Sequence, residues 1–272
     1  MDREIVVITP NESSAYEVLK ALKRLDSEGT IELYASAVVA KDANGKLSTK
    51  EGEPDIRTGS GTILGLSVGT LIGLLAGPAG AAAGAAAGAA ATGAAAGGVV
   101  GLTEDLGLTG VAGDFVHDVA NNLQAGSFAV VASVWEDWTV PVDTAVSKVG
   151  GKIFRHSSQD VVVTQIQAGM NELDDEGEYI DRQIDKASGQ AQADLRAKRE
   201  EIRTKQAEQR KMLQARADTI QKTWDAKIAS VQEKAKTSAE ASKARHQEHM
   251  DKFKQFVSEK KASIKDLFAP SM

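Results

Sequence analysis

Four histidines are the sequence's candidates for metal or proton chemistry near neutral pH. Two of them, His246 and His249, stand three apart in "RHQEHM" with Glu248 between them. On a helix that spacing brings two imidazoles to one face, which is the beginning of a divalent metal site. No further ligand lies nearby in the sequence. The surrounding apolar spacing puts His246 on a packing stripe with His249 beside it, so both read as structural. His117 and His156 are isolated. The chain has no cysteine, which excludes disulfides, thiolate metal sites and a cysteine nucleophile. No motif implies a cofactor or a small-molecule substrate, and the expectation is a protein that is not an enzyme.

Charge and composition narrow the partners. Residues 1–157 carry 11 Lys+Arg against 18 Asp+Glu, and the remainder carries 21 against 20. Within that remainder 186–272 is basic, with 20 Lys+Arg against 12 Asp+Glu. The acids are interspersed and no aromatic residues interleave the bases, so nucleic acid is not an expected partner. The opening "MDREIVVITP" is charged at once and lacks a basic region before a long apolar run, so no signal peptide is expected and the default is the cytoplasmic side.

Two short blocks must position whatever function the chain has. "EIVVITP" (4–10) reads as a strand ended by proline. Asn11 then caps a helix over 11–29 with Ala15, Val18, Leu19, Leu22 and Leu25 on one face. "TIELYASAVVAKD" (30–42) is a second strand, followed by Asn-Gly turn chemistry in "ANGK". The second block repeats the order. It has helical spacing over Asp114 to Leu123, a strand "SFAVVASVW" (127–135), a helix over 139–151 starting near Pro141, and a last strand "KIFRHS" (152–157). This is an α+β, split-βαβ, ferredoxin-like pattern, 1–57 being the first half and 104–157 the second. Neither half has apolar surface for its own core, so a shared four-stranded sheet is expected. That scaffold also hosts acylphosphatases, but no glycine-rich phosphate loop with a flanking arginine follows the first strand; "TPNESS" is a helix cap.

Between the halves, 58–103 holds no charged residue. Gly61, Gly65, Gly69, Gly73 and Gly77 are spaced by four; after Pro78 the rows continue as Gly80, Gly84, Gly88 and then Gly93, Gly97, Gly101. Positions four apart share a helix face, so each row is a groove without side chains. Each such glycine costs roughly 1 kcal/mol relative to alanine in a solvated helix; close helix packing in a membrane recovers that cost. The segment is long enough for two passes of about 20 residues, with a hairpin turn at Pro78 that returns the chain to its starting side. The first pass, with Ile63, Leu64, Leu66, Val68, Leu71, Ile72, Leu74 and Leu75, is suited to face lipid. The Ala/Gly-rich second pass is suited to pack on the first or on neighbouring copies. A hairpin buried in a soluble assembly is the alternative.

Residues 4–157 resemble a widespread bacterial family of uncharacterised membrane proteins in which a ferredoxin-like domain is interrupted by a glycine-zipper hairpin. The resemblance rests on "EIVVITPNESSAYEVLKALKRL", "IELYASAVVAKDANGKLS", "GLLAGPAGAAAGAAAGA" and "GDFVHDVANNLQAGSFAVVASV", the last with Ala125 where the family's motif has proline. It implies membrane association and brings no reaction, cofactor or catalytic residues.

From about 159 to 268 proline is absent and glycine sparse, so 158–272 reads as one very long helix, with a weak turn near "DDEGE" (174–178). From about 213 its apolar positions follow rows of eleven: Ile220, Val231, Ser242, Phe253 and Ile264; Trp224, Ala235, His246, Val257 and Phe268; Ala217, Ile228, Ala239 and Met250. Eleven residues in three turns make a nearly straight stripe. A stripe so narrow and long calls for a partner, and Ile220, Trp224, Ile228, Val231, Phe253 and Val257 are expected to form an oligomer seam. The whole reads as a self-assembling scaffold with soluble domains on the cytoplasmic side, its partners being the lipid bilayer and other copies of itself. The alternatives are a pore- or channel-forming oligomer and a soluble shell or adaptor with a buried hairpin. In "WEDW" (135–138) the indoles either anchor at a lipid interface or simply end a strand.

Overall fold

The computed structural model describes residues 1–54, Val68, Gly69, Leu71, Ile72, Leu75 and 113–268. The chain is α+β, an antiparallel sheet with long helices. Strands β1 (Asp2–Thr9), β2 (Glu32–Lys41), β3 (Leu47–Pro54), β4 (Phe128–Trp135) and β5 (Lys152–His156) lie in the order β3-β2-β4-β1-β5. Every neighbouring pair is antiparallel. The helices are α1 (Glu12–Ser27), α2 (Gly113–Asn122), α3 (Val140–Ser147), α4 (Ser158–Lys186), α5 (Gly189–Thr237) and α6 (Glu240–Leu267). They fall into two compact units, Met1–Val162 with Lys222–Val257, and Val163–Gln221 with Ser258–Met272.

Local chemistry sets the first elements. Asn11 caps α1, its Oδ1 accepting from the Ser14 N–H at 2.9 Å, and Gly29 at φ +66° ends the helix. Asp42 Oδ1 accepts from the N–H groups of Asn44 and Lys46, closing the β2–β3 turn with Gly45 at φ +81°. The sheet therefore has five strands where four were expected.

The two sheet faces have different covers. Ile5, Val7, Val38, Val130, Ala132 and Val134 pack under the α1 face of Ala15, Val18, Leu19, Leu22 and Leu25 and under Val142 and Val146 of α3. Leu33 and Val38 both join that core although five residues apart, because the β2–β4 register shifts between Leu33 and Ala35. Val6, Ala35, Ala37, Val39, Ala129 and Val131 form the opposite face. They are covered by Phe115 and Val119 of α2, by Leu123, and by Val68, Leu71 and Leu75. Val68, Leu71 and Leu75, suited in sequence to face lipid, are thus part of a protein core here. Among the described residues no helix is long and apolar enough to cross a membrane.

The tail is three helices rather than one. The chain breaks after Lys186, with Gly189 at φ +59°, and again between Thr237 and Glu240. The acidic turn at 174–178 stays helical within α4. In the second unit α4 and α5 run antiparallel. Arg199 grips Asp181 with two bonds of 2.8 and 3.0 Å, the Gln206 side chain donates to the Leu173 carbonyl at 2.6 Å, and Leu213 lies on Gly169.

Candidate functional site

The second sheet face is apolar at one end and charged at the other. Asp2, Trp135 and Glu32 form one row across β1, β4 and β2, and Glu4, Ser133 and Ala35 form the next. Inward-facing acids on these central strands need partners, because an unpaired buried charge is costly. The partners come from the C-terminal helices. Residues 222–237 of α5 and 240–257 of α6 form a helical hairpin, Trp224 lying edge-on to Phe256 across it.

Lys227 and Lys234 stand seven apart, two turns on one helix face. Both are almost fully buried. Lys227 Nζ donates to both Asp2 oxygens at 2.8 and 2.6 Å and to Ser133 Oγ at 3.1 Å. Ser133 in turn donates to Glu4 Oε1 at 2.9 Å. The same ammonium sits 4.7 Å above the Tyr34 ring. Lys234 Nζ donates to Asp26 Oδ1 at 2.7 Å and to the Leu33 carbonyl at 2.6 Å.

The second helix supplies the two histidines. The Nδ1 atoms of His246 and His249 lie 2.6 and 3.0 Å from the same oxygen, Glu32 Oε1. At the rim Lys252 donates to Asp137 at 2.6 Å, and Arg245 donates to the Glu28 carbonyl at 2.8 Å. Phe253 fills the centre, 6.3 Å from Tyr34 and 5.2 Å from Trp135 between ring centroids. A side chain at Gly29 would meet the Ser242 carbonyl and Arg245 Cβ at 3.0 Å, so the helix lies directly on the α1–β2 turn.

Burial pushes the pKa of each of these acids up, and their partners decide the net direction. At Asp2 and Asp26 desolvation outweighs the attraction of Lys227 and Lys234, and their pKa values are raised. At Glu32 desolvation also acts upward, but hydrogen bonds from His246 and His249 and the Lys234 charge overcome it, and the pKa falls below the ordinary 4.5. Asp137 falls likewise, desolvation being outweighed by Lys252 and His249. Burial, and then Asp2 and Glu32, push the Tyr34 phenol well up.

Glu32 is the partner of His246 and His249 that their sequence neighbourhood does not reveal. Lys234 Nζ, 3.9 Å from Glu32 Oε2, occupies the space beside that carboxylate with a fixed positive charge. Among the described residues no group of three or more His, Asp or Glu is arranged to hold a metal ion. The arrangement fastens and registers two helices on a sheet. Of the seam residues, Trp224, Val231, Phe253 and Val257 are buried within the single chain, and Ile220 and Ile228 are half-buried. Phe253 meets Tyr34 and Trp135 of the same chain, and Trp224 meets Phe256. Gly69 is helical, and no described atom lies within 4 Å of where its Cβ would be. Gly61, Gly65, Gly73, Gly77, Gly80, Gly84, Gly88, Gly93, Gly97, Gly101 and the turn at Pro78 lie outside the described residues. His156 stacks on Phe115. Of the "WEDW" indoles, Trp135 is buried and Trp138 is 59% exposed.

Two outcomes follow from the charges. Lys227→Met strands Asp2 and should cost about 3–5 kcal/mol in urea unfolding, whereas Asp2→Leu with Lys227→Met should recover most of it; equal losses in both would contradict a paired contact. Glu32 and Asp137, held low, contribute stability that is present above the ordinary carboxylate range and lost as pH falls through their native values. Asp2 and Asp26, held high, act in the opposite sense, and their contribution is lost as pH rises through their native values. The acid limb of the first compact unit should therefore draw on Glu32 and Asp137; Asp181 and Glu201, held low by Arg199 and Lys205, lie in the second. Glu32→Gln should flatten it in a fluorescence-monitored acid titration, and an unchanged limb would contradict the assignment.

No protein-family model, curated protein or solved structure matches this chain.

Proposed function

We propose that the chain is a non-enzymatic, membrane-anchored scaffold that assembles with copies of itself. In this reading residues 58–103 enter the bilayer as a glycine-zipper hairpin, and the folded domain stands on the cytoplasmic side. With the edge strand β3 set aside, the order β2-β4-β1-β5 with α1 and α3 on one face supports a split ferredoxin-like domain interrupted by that segment.

One observation carries the topology. Pro54 pairs with Ala35, Ala35 and Glu4 both pair with Ser133, and Glu4 pairs with His156, so all five strands share one transverse row. Phe115, just inside α2, stacks on His156 with ring centroids 5.2 Å apart. Pro54 before the uncharged segment and Phe115 after it thus lie at one row of the sheet, which supports an inserted hairpin with both flanks on one side of a bilayer. The glycine rows, each a groove without side chains, are the surfaces offered for contact between helices and between copies.

A second reading has its own support. Val68, Leu71 and Leu75 complete the core of the second sheet face, as they would in a soluble shell or adaptor protein whose hairpin is buried in protein.

Alkaline carbonate washing of membranes from cells expressing the full chain separates the two. Retention in the membrane pellet is expected. Release of the intact chain into the supernatant would overturn the anchored reading in favour of the soluble one.

A further inference from the structure

We propose that the charged end of the sheet is a receptor for the helical hairpin 222–257 of a second copy as well as for the chain's own, so that exchange of hairpins joins copies. This rests on the self-assembling reading and names the surface through which assembly occurs.

Three observations carry it. The contact is complementary: Asp2, Asp26 and Asp137 on the sheet side meet Lys227, Lys234 and Lys252 on the hairpin, and Glu32 meets the imidazoles of His246 and His249. Its charges are also the kind that select a partner more than they bind it. In a buried ion pair desolvation offsets most of the attraction, while a mismatched charge is expensive. The hairpin's own charges thus ease release and make re-docking specific. Finally, the connection between sheet and hairpin is long in sequence, and parting the antiparallel α4–α5 pair releases its full length. Residues 157–221, largely within α4 and α5, separate it from β5. A tether of that length allows the same contact to be made by a neighbour, and domain exchange of this kind needs no new surface. In the exchanged state Phe253 packs against a neighbour's Tyr34 and Trp135. The stripe that reads as a seam between copies and the stripe buried in one chain are then one surface.

The test uses two full-length chains in the same detergent, one carrying Asp2→Lys and the other Lys227→Asp. Each alone sets like charges against each other in its own contact. In a mixed, exchanged pair the sheet carrying Asp2→Lys meets the hairpin carrying Lys227→Asp, so opposite charges face each other with their positions reversed. The other sheet and the other hairpin re-form the native Asp2–Lys227 pair. Docking is read as protection of residues 222–257 from trypsin, which assembly through residues 58–103 alone does not supply. We expect rapid cleavage of each variant alone, and cleavage about tenfold slower after the two are co-expressed, since cleavage tracks the population of the undocked state. The chain carrying both substitutions should be protected without a partner.

A mixture cut as fast as its components, with the doubly substituted chain protected, would overturn exchange. So would full protection of either single variant alone. If the buried pair is not rebuilt in the doubly substituted chain, the rim pair Asp137→Lys and Lys252→Asp decides by the same readout. Failure of exchange with particle size unchanged leaves the scaffold reading standing. Release by carbonate would remove the membrane anchor without altering this result.

Discussion

A lysine ammonium buried between the two carboxylate oxygens of Asp2 is the contact on which the first compact unit depends. Strands β1, β2 and β4 each turn polar side chains inward at one end, and whatever covers that end has to partner them. The α5–α6 hairpin does so through Lys227, Lys234, His246 and His249, and it brings Phe253 and Trp224 with it. One sheet face is thereby divided between two covers, apolar residues of α2 and of 68–75 at one end and a charged hairpin at the other. Apolar packing supplies most of the favourable free energy of such a unit; a buried charge left without its partner is costly, so the ion pairs penalise a mismatched cover.

Much of the sheet domain is legible in the sequence because its signals are local. The Asn11 cap, the five-residue face of α1 and the β-branched runs of β1 and β4 each need only their own neighbours to be read. Strand β3 escapes because "LSTKEGEP" is polar without apolar alternation, as an edge strand paired on one side can be. The breaks in the tail escape for a related reason. "ASGQ" and "TSAE" set Ser, Gly and Thr beside strong helix formers and hold no proline, so local propensity alone does not mark a break there. Gly177, which weakens a helix in principle, lies against Arg199 and Gln206 side chains and gives them room.

The candidate site is less legible because its halves lie more than 200 residues apart. Glu32 and His246 meet across 214 positions, and Lys227 and Asp2 across 225. A faint signal exists. Acids at Asp2, Glu4 and Glu32 fall at inward positions of strands that otherwise read as core, and Lys227 and Lys234 interrupt an apolar helix stripe at a spacing of seven. Opposite charges on two surfaces that both ought to be buried are the mark of a matched contact. Within the first compact unit, the part of the eleven-residue stripe in 222–257 lies against the chain's own sheet, with Phe253 between Tyr34 and Trp135.

The ammonium groups themselves give the most direct test of this contact. Exposed lysine ammonium protons exchange with water too fast to be seen under ordinary conditions, whereas a buried ammonium bonded to carboxylates is protected. Side-chain nitrogen NMR spectra of the full-length chain near neutral pH should therefore contain two slowly exchanging lysine signals. One should be lost in Lys227→Met and the other in Lys234→Met. A spectrum in which every lysine ammonium exchanges as rapidly as an exposed one would contradict the buried ionic contact between the hairpin and the sheet.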